Sequence, residues 1–310
     1  MSLELFIARR IARSGPGNRP GVMVRIAVIA VALSVTVMIL ALAVIMGFKR
    51  EITDRVTGFS AQVEVADLRS AGSIESVPVP RSEQLERAIR SAGEVVRLAP
   101  YAVKGGVVKT PDAILGVMLK GVDGGYDWSF FRDHLLEGEL PRVGDSIRTK
   151  EILISRSVAR EMGLVPGDKV EMLFVESEKS PRRDRFKVSG IYATGMDEFD
   201  RSVAMTALRN VQRLADWSSD EVSGYEVTLA DFSQAEDFSR RLNDMLLDSD
   251  REAFWDLTAR SAQERFPTVF DWLKTHDVNA AVILVIMVIV AVFNMATALL
   301  TLVLERTRCL

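Results

Sequence analysis

The chain has 310 residues, of which 48% are hydrophobic and 26% charged, and its formal net charge is −3. The net charge says little, because an acidic middle region is averaged with basic ends. The one cysteine, Cys309, excludes an internal disulfide, so stability must come from a packed core. The apolar residues are concentrated in two blocks without charged side chains, Ile26–Met46 and Val278–Leu304.

The first 21 residues predict a short amphipathic helix followed by a turn. Apolar side chains recur at helical spacing in LELFIARRIAR, while its arginines fall largely on another side. Such a helix is suited to lying along the inner membrane surface, and SGPGNRPG then supplies a turn. The alternative is a flexible basic tail.

Residues 22–47 are predicted to form a first transmembrane helix. The charge-free block covers 21 residues, and a helix of that length spans about 30 Å, the thickness of a bilayer core. A cleavable signal peptide is the alternative. However, the apolar core of a signal peptide is usually shorter than this block, and a charged segment as long as the one here does not usually precede it. Helical spacing continues beyond this block through Phe48, Ile52, Val56 and Phe59, which suggests a stalk or, alternatively, an amphipathic helix packed on the next domain.

Residues 48–265 predict a mixed α and β domain with its stalk. AQVEVADL alternates like a strand, SEQLERAIRSAG has a helical pattern, and EVVRLAPYAVKGGVVKT reads as one or two strands. ILISRSVAREMGLVPGDKVEMLFV predicts a strand, a helix begun by Ser155 or Ser157, a turn at 166–168 and another strand. RFKVSGIYAT returns as a strand, so Val175 to Arg185 should form a hairpin tip.

Residues 266–277 are predicted to lead into a second transmembrane helix at 278–304, followed by a short cytoplasmic segment at 305–310. Arginines precede the first span and follow the second, and positive residues favour the cytoplasmic side. Both ends are therefore expected in the cytoplasm and the central domain outside.

Catalytic motifs are absent from the sequence, so we expect neither an enzyme, a metal site nor a cofactor. There is no Walker A loop, dinucleotide fingerprint or nucleophile elbow. His134 and His276 lie far apart, and the spacing of Asp123, Asp127 and Asp133 fits no EF-hand.

The assembled segments resemble the permease subunit of lipoprotein-releasing ABC transporters, the LolC/LolE type, within the wider MacB- and FtsX-like group. The resemblance runs through FIARRIAR, VIMGFKREITDRV, ILISRSVAREMGLVPGDKV, KVSGIYATGMDEFD and AVFNMATALLTLVLERTR. It implies a membrane protein with two transmembrane helices, of an expected four, flanking a large extracytoplasmic α+β domain of the MacB periplasmic core type. It also implies that the sequence is a truncated chain or fragment.

The resemblance further implies an inner-membrane subunit that passes lipoproteins to a periplasmic carrier, using ATP hydrolysed by a partner. The implied partners are a LolD-like ATPase, a second permease subunit in a homo- or heterodimer, a LolA-like carrier, the lipoprotein substrate and membrane lipid. No nucleic acid is expected. Two alternatives stay open: a MacB-like efflux or FtsX-like mechanotransmission permease, and a two-span receptor with an extracytoplasmic sensor domain.

Three groups of candidate site residues follow from this resemblance. They are the carrier-docking hairpin (Val175, Glu176, Lys179, Pro181, Arg182, Arg183 and Arg185), the lipid or lipoprotein cavity (Val35, Ile39, Ala43, Phe293 and Met295) and the ATPase-coupling segment (Glu305, Arg306 and Arg308).

Overall fold

A computed structural model describes residues 22–70, 75–111, 113–144, 149–176 and 179–307. The chain divides into two compact units, one formed by residues 1–52 and 268–310 and the other by residues 53–267. The amphipathic segment predicted for residues 1–21 lies outside the described residues.

Long helices begin and end the described chain, and short helices alternate with strands between them. The helices are α1 (Val22–Ser60), α2 (Glu83–Ser91), α3 (Ser129–Asp133), α4 (Arg156–Met162), α5 (Asp197–Asp200), α6 (Leu208–Leu214), α7 (Ala235–Leu247), α8 (Glu252–Trp255), α9 (Ala262–Arg265) and α10 (Pro267–Thr307). The strands are β1 (Val63–Asp67), β2 (Val79–Pro80), β3 (Val95–Lys109), β4 (Ile114–Val122), β5 (Leu135–Gly138), β6 (Glu151–Ser155), β7 (Lys169–Glu176), β8 (Lys179–Tyr192), β9 (Val203–Ala207), β10 (Glu221–Val222), β11 (Gly224–Leu229) and β12 (Leu257–Ser261).

The first unit contains a pair of helices, each long and apolar enough to cross a membrane. Lys49 Nζ lies 2.5 Å from Asp277 Oδ2, and the Phe48 and Trp272 rings meet edge to face at 5.7 Å. On α10 the less exposed side chains recur at spacings of three and four residues, so they lie along one face of the helix. These side chains are Leu273, Asp277, Ala280, Leu284, Met287 and Ala291.

Six strands of the second unit close into a barrel. Their order is β3–β4–β9–β6–β8–β7, and the last strand returns to the first because β7 pairs with both β8 and β3. The pairs β4–β9 and β6–β8 are parallel, and the other pairs are antiparallel. Closure leaves these strands without a free edge along the paired segments, and side chains such as Leu119, Met172 and Phe186 fill the interior.

The fifteen-residue strand β3 also joins a second sheet of order β12–β1–β11–β3. Helices α2 and α7 pack on this sheet through buried apolar side chains: Leu85, Ile89, Phe238, Leu242 and Leu246. The sequence pattern left open whether this segment forms one strand or two. One continuous strand forms because its first half pairs with β11 and its second half with β4 and β7.

Local signals place several helix ends where the residue types predict them. The Ser155 hydroxyl accepts a hydrogen bond from the Val158 N–H, so Ser155 rather than Ser157 is the N-cap of α4. Gly163 ends that helix in the left-handed conformation with φ of 65°. Ser261 and Glu264 form a reciprocal capping box at α9.

The last turns of α1 belong to the second unit. Val56 and Phe59, which the spacing assigns to either a stalk or a packed amphipathic helix, are both buried there. The packed alternative therefore holds for this end of the helix.

We expect the Phe174→Ala substitution to lower the free energy of unfolding by about 3–5 kcal/mol, the usual cost of removing a buried aromatic ring. Phe174 is buried in the barrel against Gly106, where an added Cβ would lie 2.6 Å from the ring. Val96→Ala, at a side chain that is 63% exposed, is the control and should cost less than about 0.5 kcal/mol. Denaturant unfolding of the full chain in detergent, followed by near-ultraviolet circular dichroism, measures both. Equal costs would contradict the closed core.

Candidate functional site

The hairpin formed by β7 and β8 carries most of the residues predicted to dock a carrier. Paired residues include Leu173 with Arg183 and Glu171 with Arg185, and pairing continues to Glu176 with Lys179. The prediction that all of 175–185 forms the tip is therefore wrong in extent. The charged residues 182–185 belong to β8, and their side chains alternate between the two faces of the strand.

Two side chains of this strand hold it to the body of the domain. Asp184 is nearly buried and pairs with Lys150 and Arg213. One Arg182 amino group lies 2.6 Å from Asp216 Oδ2, and the other donates to the Arg213 carbonyl at 3.2 Å. The Arg182 side chain is therefore paired within the domain, although it remains 43% exposed.

Arg183 and Arg185 point the other way, and their side chains are 73% and 77% exposed. The register places exposed lysines on the same face, since Lys109 pairs with Glu171 and Lys169 with Lys187. We call this surface the basic face: Lys109, Lys169, Arg183, Arg185 and Lys187. Glu171 is the acid among them, with its carboxylate oxygens 3.4–3.7 Å from the two arginines. Such a face accelerates encounter with an acidic partner.

The other predicted hairpin residues are also on these strands. Val175 and Glu176 belong to β7, and Lys179 and Pro181 to β8. Pro181 is exposed. The side chains of the first three, and residues 177–178, lie outside the described part of the structure.

A three-ring cluster joins the end of α1 to the residue that precedes α10. Phe59 stacks on Phe199 with ring centroids 4.5 Å apart, and Phe199 meets Phe266 edge to face at 5.2 Å. The sequence pattern placed Phe59 in a helical repeat but gave Phe199 no role. Its partners are more than sixty residues away in the chain, so no local pattern indicates it.

Arg265 makes a second link in the same region. Its Nε lies 2.6 Å from Glu64 Oε2, and one amino group donates to the Ser60 carbonyl at the end of α1, at 2.8 Å. Glu64 also accepts a hydrogen bond from the Tyr101 hydroxyl. The guanidinium thus satisfies a helix-end carbonyl and a strand carboxylate together.

A further ion pair is buried beside this link. Lys120 Nζ lies 2.5 Å from Glu226 Oε1, and both side chains are 9% exposed. Glu226 stands directly opposite Glu64 in the β1–β11 pair, where two carboxylates would repel each other. Lys120 and Arg265 offset that repulsion, so each cation is needed where it stands.

A third contact orders the loop before α5. Arg55 donates to the Thr194 carbonyl at 2.8 Å, and the Asp200 carboxylate accepts from the Thr194 and Gly195 N–H groups at 3.1–3.2 Å. Gly195 has φ of 76°, and an added Cβ would lie 2.7 Å from the Arg55 guanidinium. The glycine therefore permits both the turn and the close approach.

The predicted cavity residues lie on exposed faces of the two long helices, away from the less exposed face of α10. Val35, Ile39 and Ala43 follow one stripe of α1, and Phe293 and Met295 are exposed on α10. Glu305 and Arg306 fall in the last turns of α10, but their side chains lie outside the described residues, as does Arg308 altogether. Within the described ranges, no group of three or more His, Cys, Asp or Glu side chains could hold a metal ion.

A family model described as the MacB-like periplasmic core domain matches residues 26–245, so the chain belongs to this family. Two apolar helices flank its α+β domain, which confirms the predicted fold class.

The chain is similar to transmembrane proteins of lipoprotein-releasing systems, which confirms the resemblance to the LolC/LolE type. It is 27% identical to LolC of Xylella fastidiosa (strain 9a5c) over 90% of this chain and 65% of that protein. It is 24% identical to LolC of Neisseria meningitidis serogroup B over 98% of this chain and 72% of that protein. The chain thus spans about 65% of the length of the Xylella relative.

Among solved structures, the periplasmic region of MacB from Actinobacillus actinomycetemcomitans superposes with a TM-score of 0.43 at 11% identity. The superposition covers 68% of this chain and 93% of that one.

We expect Arg265→Gln to lower the free energy of unfolding by about 2–4 kcal/mol, because Glu64 would keep its charge in a largely buried position without a cation. Arg265→Lys should recover part of this loss, since one ammonium cannot serve both acceptors as well as a guanidinium. Arg87→Gln, which breaks an exposed pair with Glu83, is the matched control and should cost less than about 1 kcal/mol. Denaturant unfolding measures all three, and equal costs for the two glutamine variants would contradict the role of Arg265.

The tyrosines offer a test of burial by pH. Burial raises the pKa of Tyr101, Tyr126 and Tyr192 well above the usual 10.0, and that of Tyr225 to about 12. These are the four tyrosines of the sequence. The unfolded chain therefore loses phenol protons near pH 10 while the folded chain keeps them, so stability should fall as the pH rises above about 10.

Absorbance at 295 nm, recorded during alkaline titration, measures this directly. Phenolate should be nearly absent at pH 10.5 in the folded chain and should form together with unfolding, whereas the chain in denaturant should titrate near pH 10. Titration of one or more tyrosines near pH 10 before unfolding would contradict the packing described.

Proposed function

We propose that the chain is a permease subunit of an ABC transporter that extracts lipoproteins from the inner membrane and passes them to a periplasmic carrier. The observation that carries this proposal is the similarity to transmembrane proteins of lipoprotein-releasing systems, which extends over 90% or more of the chain for LolC proteins of two organisms. A partner ATPase supplies the energy, and a second permease subunit completes the membrane part.

The energetic problem that such a transporter solves fits this division of labour. An acyl chain gains about 0.8 kcal/mol for each methylene that it buries in a bilayer, so an acylated protein does not leave unaided. In our proposal the chain lies in the inner membrane with both ends of residues 1–310 in the cytoplasm and the central domain in the periplasm. Arginines at the flanks of the two spans support this orientation.

Each candidate site has a place in this function. The exposed apolar stripes with Val35, Ile39, Ala43, Phe293 and Met295 line the lipid or lipoprotein cavity, and Glu305, Arg306 and Arg308 begin the segment that contacts the ATPase. The links at Phe199 and Arg265 hold the domain ends of α1 and α10 together. A MacB-like efflux or FtsX-like mechanotransmission permease is the second candidate, which the match to the MacB-like family favours.

Carrier docking belongs to the basic face of the hairpin. Its exposed cations suit an acidic carrier surface, and Arg183 and Arg185 are the central ones because their side chains are 73% and 77% exposed, against 43% for Arg182. Among the three arginines predicted for carrier docking, Arg183 and Arg185 are therefore the most accessible to a partner.

We expect the double substitution Arg183→Glu and Arg185→Glu to reduce photocrosslinking from position 173 to the carrier by about tenfold, with the largest effect at low salt. The assay uses the chain assembled with its partner subunits. Arg87→Glu is the matched control, because the Arg87 side chain is 74% exposed on another element. Unchanged crosslinking in the double variant would remove the hairpin from carrier docking.

The substrate class is tested separately. Depletion of the chain should cause lipoproteins to accumulate in the inner membrane, as measured by membrane fractionation. Normal sorting with impaired export of small molecules would favour the efflux alternative.

A further inference from the structure

A cleft of about 470 Å³ opens in the second unit beside the three-ring cluster. Its volume lies within the range of small-molecule sites. Its apolar lining residues include Phe59, Phe199 and Phe266 together with Met118 and Val203. Polar and charged side chains complete the lining, so the cleft offers both apolar and polar contacts to an amphiphile.

Two polar groups of this cleft have no partner within the described residues. The Ser60 hydroxyl is buried, with the residue 5% exposed, and makes no hydrogen bond. Arg260 is half-buried, and its guanidinium has neither an ion pair nor a hydrogen bond in the described part of the chain. An unsatisfied buried polar atom costs about 1–3 kcal/mol, so a bound ligand that satisfies it is favoured.

The other charged groups of the cleft are already committed. Lys120 pairs with Glu226 and Arg265 with Glu64, while Glu264 accepts from the Ser261 N–H and hydroxyl at 2.7 and 3.1 Å. Arg260 is therefore the cation that remains available to a ligand. A guanidinium prefers a carboxylate or phosphate, which it can bind through two parallel hydrogen bonds.

We propose that this cleft binds a single-chain amphiphile with an anionic head, such as a fatty acid or a lysophospholipid. The carboxylate or phosphate binds Arg260 and accepts a hydrogen bond from the Ser60 hydroxyl. The aliphatic chain lies on Phe59, Phe199 and Phe266. This site lies within the second unit, and the proposal does not rest on the transporter assignment.

The test uses the full chain in amphipol, free of detergent, and a palmitate carrying a diazirine at the end of its chain. Labelling mapped by mass spectrometry should fall on the peptides that contain the three phenylalanines. Unlabelled palmitate and lysophosphatidylglycerol should compete, and their relative potency distinguishes a carboxylate from a phosphate ligand. Uncharged monopalmitoylglycerol should compete about tenfold less well, because it forms no ion pair.

Two variants and a control make the result specific. Arg260→Gln should reduce labelling about tenfold, and Val203→Trp should abolish it by filling the cleft. Arg240→Gln, at an exposed arginine paired with Asp237, should leave labelling unchanged. Thermal unfolding of each variant verifies that it is folded, and Arg260→Gln suffices if the tryptophan variant is not.

Labelling confined to the apolar helices, or unaffected by Arg260→Gln, would overturn the proposal. Equal competition by the uncharged lipid would overturn the anionic head. Lipoprotein sorting in the depletion experiment is an independent readout, so failure here leaves the proposed transport function standing.

Discussion

The hydrogen bond and ion pair of the Arg265 guanidinium stabilise the region where α1 ends and α10 begins. The guanidinium bridges the last carbonyl of α1 and the carboxylate of Glu64 in the first strand, and Arg265 lies two residues before the start of α10 at Pro267. Because Glu64 and Glu226 stand opposite each other on neighbouring strands, Arg265 and Lys120 stabilise the sheet by offsetting their repulsion. The same contacts keep the Phe59 and Phe266 rings within reach of Phe199 and define the walls of the neighbouring cleft.

Barrel closure has a comparable influence on the hairpin. Strand β7 completes the barrel by pairing with β3 on one side and β8 on the other, so the hairpin is part of the closed wall near its base. Inward side chains of β8 are used by the domain, as the pairing of Asp184 with Lys150 and Arg213 illustrates. The outward side chains are left for a partner. One strand therefore combines a structural face with the exposed face on which we propose carrier docking, and the two-residue period separates them.

Much of the local structure could be predicted from the sequence. A helix start at Ser155 or Ser157, the strand at 152–154 and the two apolar helices follow from short-range chemistry and hydrophobic patterning. The extent of the hairpin tip could not, because a run such as ESEKSPRRDR has the composition of a loop whether or not its backbone pairs. The role of Phe199 was also hidden, since its partners are distant in sequence and its own segment, GMDEFD, has no apolar period.

By itself the sequence determined which segments are too apolar to remain in water and near which residues helices begin, because both depend on neighbouring residues. It also determined the family resemblance, because this depends on the order of segments along the chain. Tertiary structure alone decided that six strands close into a barrel, that Arg182 pairs with Asp216 while Arg183 and Arg185 are more exposed, and that Ser60 and Arg260 line one cleft. The physical reason is that pairing partners, burial and unsatisfied polar groups are properties of long-range contacts, which no local pattern encodes.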